Sequence, residues 1–270
     1  MPAPYSARVL EQFRLDGRVA VVTGAGKGIG AAIATTFAAA GADLVLLART
    51  AADLDAVAAE VAAFGRRAIA LPGDVNDLDV LAVAVQRAMH ELGSVDLVVN
   101  NAGGASSRPF LETRVEDLEA AFHFNISSSF ELVRLAAPHL LDRRGAVVNI
   151  GSMAGQHASR GSLAHSLMKS TLGQLTRLMA AELSPRVRVN AVLPGAVETD
   201  SLRGWLDQQR PALRAGILER IALRRLGTPQ DIADASLFLA SPAAGWITGK
   251  LLEVDGSAQP DLMPNRLPDL

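Results

Sequence analysis

The stretch VVTGAGKGIGAAIA, residues 21–34, joins an apolar run to a glycine-rich turn and then to an alanine-rich segment. Gly24, Gly28 and Gly30 directly follow a predicted strand and stand at the start of a predicted helix. Glycines in this position let the backbone approach a pyrophosphate, which free amide groups and the positive end of the helix dipole stabilise. Such turns also occur for packing reasons alone. The residues at the end of the second strand are therefore needed to tell whether this turn binds a nucleotide.

Short apolar runs alternate with alanine-rich helical segments along nearly the whole chain. The runs are typical of strands buried on both faces and comprise residues 18–23, 43–48, 67–72, 95–100, 145–150, 186–193 and 250–254. The helical segments between them include 28–40, 51–63, 77–91, 115–138 and 163–183. Because crossovers between parallel strands are right-handed, this order predicts an α/β fold, a doubly wound seven-stranded parallel sheet with helices on both faces.

The alternation predicts one domain over residues 1–270, with two segments that depart from the pattern. Residues 197–226 form a long amphipathic insertion rich in Arg and Leu, which we interpret as a lid. The tail, residues 257–270, contains several prolines and is predicted to be irregular, either packed on a neighbouring subunit or frayed.

Composition and charge argue against several classes of protein. The net charge is -2 and no run of Lys or Arg dominates a face, so nucleic acid and anionic membranes are poor partners. Cysteine is absent, which excludes disulfides and thiol chemistry, and His90, His123 and His139 are too scattered to suggest a metal site. The N-terminus lacks the apolar core of a signal peptide and no stretch has the length of a membrane span, so we expect a soluble cytoplasmic protein.

The second strand ends in LLARTAADL, residues 46–54. Sites for NAD usually carry a carboxylate at this strand end for the ribose hydroxyls, whereas this chain has Ala48 followed by Arg49. Lys27 lies inside the glycine loop. Two cations and no acid at the strand end favour a 2′-phosphate, so NADP(H) is the preferred cofactor in this interpretation and NAD(H) the alternative. In the alternative interpretation, Lys27 and Arg49 are solvated surface charges that bind no phosphate.

Further motifs follow in order: TGAGKGIG (23–30), GDV (73–75), NNAG (100–103), FN (124–125), GSMAG (151–155), PGAVET (194–199) and VDG (254–256). Their order and spacing resemble the short-chain dehydrogenase/reductase family of single-domain Rossmann type, from about Gly17 to Gly256. The resemblance implies an NAD(P)-dependent oxidoreductase. It places the cofactor at Gly24, Lys27, Gly28, Ile29, Gly30, Arg49, Asp74, Val75, Asn101, Ala102, Gly103, Lys169, Pro194, Gly195 and Thr199.

Catalysis in that family uses Asn, Ser, Tyr and Lys in this order along the chain. The resemblance gives these roles to Asn125, Ser152 and Lys169, but the tyrosine position, four residues before the lysine, holds His165. The only tyrosine of the chain, Tyr5, is far from any such motif.

His165 and Lys169 are spaced to share one helical face. The ammonium disfavours imidazolium and lowers the pKa of His165 below about 6.5, so a neutral imidazole can accept a proton from an alcohol. An imidazole nitrogen reaches about 2 Å less far than a phenol oxygen, which calls for a bridging water. His157, on the loop that borders the substrate, is a second proton donor to consider, although a place in the pocket wall is the plainer interpretation.

Three hypotheses remain open. In the first, the protein is an NADP(H)-dependent oxidoreductase in which His165 or a water replaces the tyrosine, Ser152 holds the substrate oxygen and Asn125 supports a proton relay. In the second, it is a catalytically impaired protein that still binds the cofactor. In the third, the same pocket serves a non-redox lyase or isomerase.

The apolar residues of the lid, among them Trp205 and Ile217, suggest a small hydrophobic secondary alcohol or ketone as substrate. The family resemblance also implies a homotetramer assembled through the helices within 115–138 and 163–183 and the last strand. Small residues, Ser166, Ser170 and Gly173, would permit close helix packing there.

Overall fold

Seven parallel strands form one sheet in the order β3-β2-β1-β4-β5-β6-β7. The structure is a computed structural model that describes residues 9–200, 202–204 and 211–258, with backbone only for 211–213. The strands are β1 (Val19–Thr23), β2 (Asp43–Ala48), β3 (Ala68–Pro72), β4 (Leu97–Asn100), β5 (Ala146–Ile150), β6 (Arg188–Pro194) and β7 (Leu251–Val254). The predicted fold is confirmed. The strand order reverses between β1 and β4, which is where open α/β sheets bind their ligands.

Helices cover both faces of the sheet. They are α1 (Gly28–Ala39), α2 (Ala51–Ala63), α3 (Leu78–Arg87), α4 (Val115–Phe122), α5 (Ser128–Arg143), α6 (Leu163–Leu183), α7 (Pro211–Arg220) and α8 (Pro229–Ala240). On one face, α1, α2 and α8 bury their apolar residues against the sheet, and on the other α3, α5 and α6 do so. Residues of β1 alternate between these two cores, as expected for a strand buried on both sides.

Two predicted helices are interrupted by π-helical turns. The segment predicted as one helix over 115–138 consists of α4, a π turn at His123–Ser127, and α5. The helix predicted over 77–91 ends as an α-helix at Arg87 and continues as a π turn at Ala88–Leu92. Each π turn holds one extra residue, which hydrophobic periodicity does not register.

A buried chain of polar side chains crosses the centre of the sheet. The amide of Asn100 on β4 donates to Oδ1 of Asn149 on β5 at 2.9 Å, and the Asn149 amide donates to Oγ1 of Thr176 on α6 at 2.8 Å. Because buried amides need partners, these bonds fix the positions of β4, β5 and α6 relative to one another. The positions of the loops that follow β4 and β5 are therefore set in part by these buried hydrogen bonds.

Part of the predicted lid is described. Val197 forms a parallel bridge with Gly227, and α7 is followed by a small apolar cluster around Ile221 and Leu226, against which Ile217 packs. Several described apolar lid residues thus pack on one another, whereas Leu223 is exposed. Trp205 and the tail beyond residue 258 lie outside the described residues. In the part of the chain that is described, no helix is both long and apolar enough to cross a bilayer.

Candidate active site

The glycine loop is built so that only glycine fits at its closest approach. Gly28 has a φ of 56°, in the left-handed region that favours glycine. A Cβ at Gly30 would overlap the carbonyl oxygen of Gly24, which brings the first turn of α1 against the loop. Lys27 precedes α1 in an extended conformation and its side chain makes no capping bond. The first-turn amides of α1 are therefore free of a side-chain cap and suited to an anion.

A groove of about 510 Å³ runs along the carboxyl ends of the central strands. Predicted cofactor residues from four successive loops line it, namely Gly24, Lys27, Arg49, Asp74, Val75, Asn101, Ala102 and Gly103. Other predicted cofactor residues do not line this groove. Ile29 packs against the core, and the Thr199 side chain lies 3.4 Å from where a Cβ of Gly28 would be. Pro194 ends β6, and Gly195 packs directly on Asp255.

Thr23, the last residue of β1, supports the turn after β4 that lines this groove. Its hydroxyl accepts hydrogen bonds from the backbone amides of Asn101 at 3.0 Å and Ala102 at 3.1 Å. The side-chain amide of Asn101 donates back to the carbonyl oxygens of Thr23 and Gly24. These bonds join the turn after β4 to the glycine loop. Thr23 is not among the predicted site residues, although a hydroxyl at a strand end directly before the glycine loop is a recognisable signal.

An acidic residue absent from the predicted site also lines the groove. The Lys27 ammonium lies 3.2 Å from Oδ2 of Asp53, a residue in the first turn of α2. The strand end itself carries Ala48 followed by Arg49 and no carboxylate. One of the two predicted phosphate-binding cations is nevertheless already paired.

Asn125 lies in the π turn between α4 and α5 and is buried. Its side-chain amide donates to the carbonyl oxygens of Gly104 at 2.9 Å and Ala121 at 2.8 Å, and its Oδ1 accepts from the Gly104 amide at 2.8 Å. Both N–H groups are thus committed to the backbone. The side chain can position the loop after β4, whereas donation to a substrate would require breaking one of these bonds.

Ser152 begins a short turn that packs on α6. Its Oγ accepts a hydrogen bond from the Ala154 amide at 3.1 Å, which leaves the hydroxyl hydrogen free to donate. At Gly155, a Cβ would lie 2.7 Å from the backbone carbon of Lys169 and the nitrogen of Ser170. The serine turn is therefore fixed against the helix at the level of Lys169.

Lys169 is a buried cation beneath the groove. Its Nζ donates to the carbonyl oxygen of Ile150 at 2.8 Å and lies 3.2 Å from where a Cβ of Gly103 would be. That same Cβ would lie 2.7 Å from Oδ1 of Asn125, so the three residues meet at one point. Burial lowers the pKa of the Lys169 amine to about 8. The amine is therefore protonated at neutral pH, but it releases its proton at a lower pH than an ordinary lysine does.

His165 lies one helical turn before Lys169 on α6 and is half-buried. Burial, and after it the Lys169 ammonium, lower the pKa of the imidazole. The direction agrees with the expectation from the sequence, with burial as the larger cause. At neutral pH this ring is uncharged and can accept a proton.

The other histidines lie apart from this cluster. His123 contacts the Asn76 carbonyl oxygen through Nε2 at 2.8 Å, and His157 is exposed on the serine turn. Over residues 9–200, 202–204 and 211–258, no group of three His, Asp or Glu side chains is arranged to hold a metal ion.

Comparison with known proteins agrees with this geometry. The family model described as enoyl-(acyl carrier protein) reductase matches residues 24–257, which is most of the chain. An uncharacterized oxidoreductase of Mycobacterium tuberculosis is 44% identical over 264 residues, covering 97% of this chain and 100% of that protein. The chain belongs to the short-chain dehydrogenase/reductase family. As a member of the short-chain dehydrogenase/reductases, it is an NAD(P)-dependent oxidoreductase.

Two further relatives indicate the range of this family. Galactitol 2-dehydrogenase (L-tagatose-forming) of Cereibacter sphaeroides is 42% identical over 249 residues, which is 90% of this short-chain dehydrogenase/reductase and 96% of that enzyme. The solved structure of 7α-hydroxysteroid dehydrogenase with NADH and 7-oxo glycochenodeoxycholic acid has a TM-score of 0.88 and 38% identity, and the match covers 94% of this chain and 98% of that one.

Proposed function

We propose that this chain is an NADP(H)-dependent oxidoreductase, working as a single domain, that interconverts a small hydrophobic secondary alcohol and its ketone. His165, directly or through a water, takes the acid/base position. The observation that carries the proposal is the arrangement on α6, where an uncharged imidazole lies one turn from a buried Lys169 that meets the cofactor groove at Gly103.

The residues present fit a dinucleotide. A Cβ at Gly30 would fill the space against the Gly24 carbonyl, and the uncapped start of α1 faces a groove that contains Lys27 and Arg49. When bound, the nicotinamide accepts or supplies the hydride. Gly24, Asn101 and the other predicted cofactor residues would hold the dinucleotide along the groove, with Lys169, Pro194, Gly195 and Thr199 at the nicotinamide end.

His165 and Ser152 have different roles in the proposed reaction. In oxidation, neutral His165 accepts the proton of the alcohol hydroxyl, and the free Ser152 hydrogen is donated to the substrate oxygen. Asn125 positions the loop after β4 through its three backbone hydrogen bonds. Because His165 is uncharged at neutral pH, oxidation is the favoured direction of proton transfer.

Preference for NADP(H) is supported by the exposed Arg49 at the end of β2 and by Lys27, both of which line the groove. The absence of a carboxylate at the strand end points the same way. NAD(H) is the competing cofactor, since the steroid dehydrogenase relative is solved with NADH.

A homotetramer is supported by apolar side chains on the surface of the described chain. Those on α4, α5 and α6 are Val115, Phe122, Phe130, Leu163, Leu167 and Leu178. Trp246, in the segment between α8 and β7, is 100% exposed. These two surfaces match the helices and the last strand that the family resemblance implies. Sedimentation of wild type and of Phe130→Glu tests the assembly, and a smaller species is expected for the variant.

The test is a fluorescence titration with NADPH and NADH, followed by turnover with a panel of hydrophobic and polyol alcohols and ketones. His165→Ala should abolish oxidation, and His165→Tyr should raise carbonyl reduction. His90→Ala, at an exposed site far from the groove, is the matched control. Unchanged turnover in both His165 variants refutes the acid/base role. Tight NADPH binding without any turnover favours the non-redox or cofactor-binding hypotheses.

A further inference from the structure

Asp53 is built into the wall of the cofactor groove. A Cβ at Gly26 would lie 3.1 Å from Cβ of Asp53 and 3.4 Å from Cβ of Ala48, so the glycine loop packs against both Asp53 and the end of β2. Its side chain is 23% exposed, whereas that of Lys27 is 66% exposed. The carboxylate is thus packed against the glycine loop, and the ammonium is the more exposed partner of the 3.2 Å ion pair.

The position on α2 explains why a carboxylate is stable there. Asp53 lies in the first turn of the helix, where the helix dipole favours negative charge. Two cations, Lys27 and Arg49, therefore line the same groove as this carboxylate, and Asp74 lines it as well. A carboxylate there opposes a 2′-phosphate and competes with it for Lys27, while it can accept a hydrogen bond from a ribose 2′-hydroxyl.

We propose that Asp53 is a specificity-determining residue that limits the preference of this enzyme for NADP(H) and preserves binding of NAD(H). It does so by engaging Lys27 and by placing a negative charge beside the site of the 2′-phosphate, which leaves Arg49 as the main source of preference. The inference rests on the proposed function in that it assigns the 2′-phosphate to the end of the groove where these cations lie.

Two other roles for Asp53 would give different results. If Asp53 served to orient Lys27 towards the phosphate, loss of its charge would weaken NADPH binding. If the pair were a surface contact without function, loss of the charge would act as it does at any other acidic site of α2. Asp55 provides that comparison, because it is exposed on the same helix and is not part of the groove.

The experiment measures dissociation constants of NADPH and NADH by fluorescence for the full chain and for Asp53→Asn, Asp55→Asn, Lys27→Met and the Asp53→Asn/Lys27→Met double variant. Asp53→Asn should tighten NADPH roughly five-fold, since release of a partly exposed ion pair and removal of a nearby charge are each small effects. Binding of NADH should stay unchanged or weaken. Asp55→Asn should leave the ratio of the two constants within about two-fold of wild type. In the Lys27→Met background the gain from Asp53→Asn should shrink, because part of it depends on the freed ammonium.

Weaker NADPH binding in Asp53→Asn, or a change no larger than that of Asp55→Asn, overturns the inference. Both results are readable without turnover and so do not depend on His165. A wild-type enzyme that binds NADH more tightly refutes the proposed NADP(H) preference instead, and the change of ratio on Asp53→Asn still tests the role of Asp53.

Discussion

Replacing Lys169 with Met should change how the stability of the protein depends on pH. The amine is buried and donates one hydrogen bond, to Ile150, and burial lowers its pKa from the usual 10.5 to about 8. Between these two values the unfolded chain binds a proton that the folded chain does not, so wild-type stability rises with pH over this interval. The linkage is worth about 3 kcal/mol in total.

Lys169→Met removes this dependence, since methionine has a similar length and does not titrate. The variant should lose turnover. Between pH 7 and pH 10.5, the free energy of unfolding of wild type should rise by about 3 kcal/mol relative to that of the variant. Urea unfolding followed by circular dichroism at several pH values, at one fixed protein concentration, measures the difference directly.

Lys250→Met is the control, because Lys250 is exposed. The difference between Lys250→Met and wild type is the reference with which the Lys169→Met difference is compared. A difference between wild type and Lys169→Met that does not vary with pH would show that burial does not lower the pKa of the Lys169 amine.

Further predictions concern the loop, the sheet and the pH profile. Gly30→Ala should weaken NADPH binding by about ten-fold or more, because its Cβ overlaps the Gly24 carbonyl, whereas Gly216→Ala, with nothing within 4 Å, should leave the affinity unchanged. Asp96→Asn should lower the free energy of unfolding by about 3 kcal/mol, since the fully buried carboxylate pairs with two arginines, and calorimetry with unchanged NADPH affinity would confirm a purely structural role. Oxidation should increase with pH through the lowered pKa of His165 and then reach a plateau, and in His165→Tyr this increase should move to higher pH. A rate profile that is identical in the two proteins would contradict the assignment of the base.

The regular elements were predictable because their signals are local. α2 and α6 have the bounds that periodicity predicts, and the strands agree to within a few residues at each end. Runs of apolar residues buried on both faces determine this pattern, and it is insensitive to details of the site. The predicted cofactor residues in the loops after β1, β2, β3 and β4 line one groove, as expected because the carboxyl ends of parallel strands meet at one edge.

The missed features depend on contacts across space. The partnership of Asp53 with Lys27 joins residues 26 positions apart, and Thr23 acts on a turn that follows a different strand. Neither contact leaves a periodic trace in the chain. The π turn around Asn125 was missed for a related reason, because one inserted residue shifts the helical face without changing the composition of the segment.

That π turn also has a consequence for motion. The π turn breaks the regular hydrogen-bond pattern of the α-helices on either side, and Asn125 within it holds the loop after β4 through Gly104. Local opening should therefore start here, with amide hydrogens of residues 123–128 exchanging with solvent faster than those of α5, and the loop at Gly104 should open in the same event. The enzyme would then admit and release its ligands by a fluctuation confined to one helical turn, while the sheet beneath stays closed to exchange.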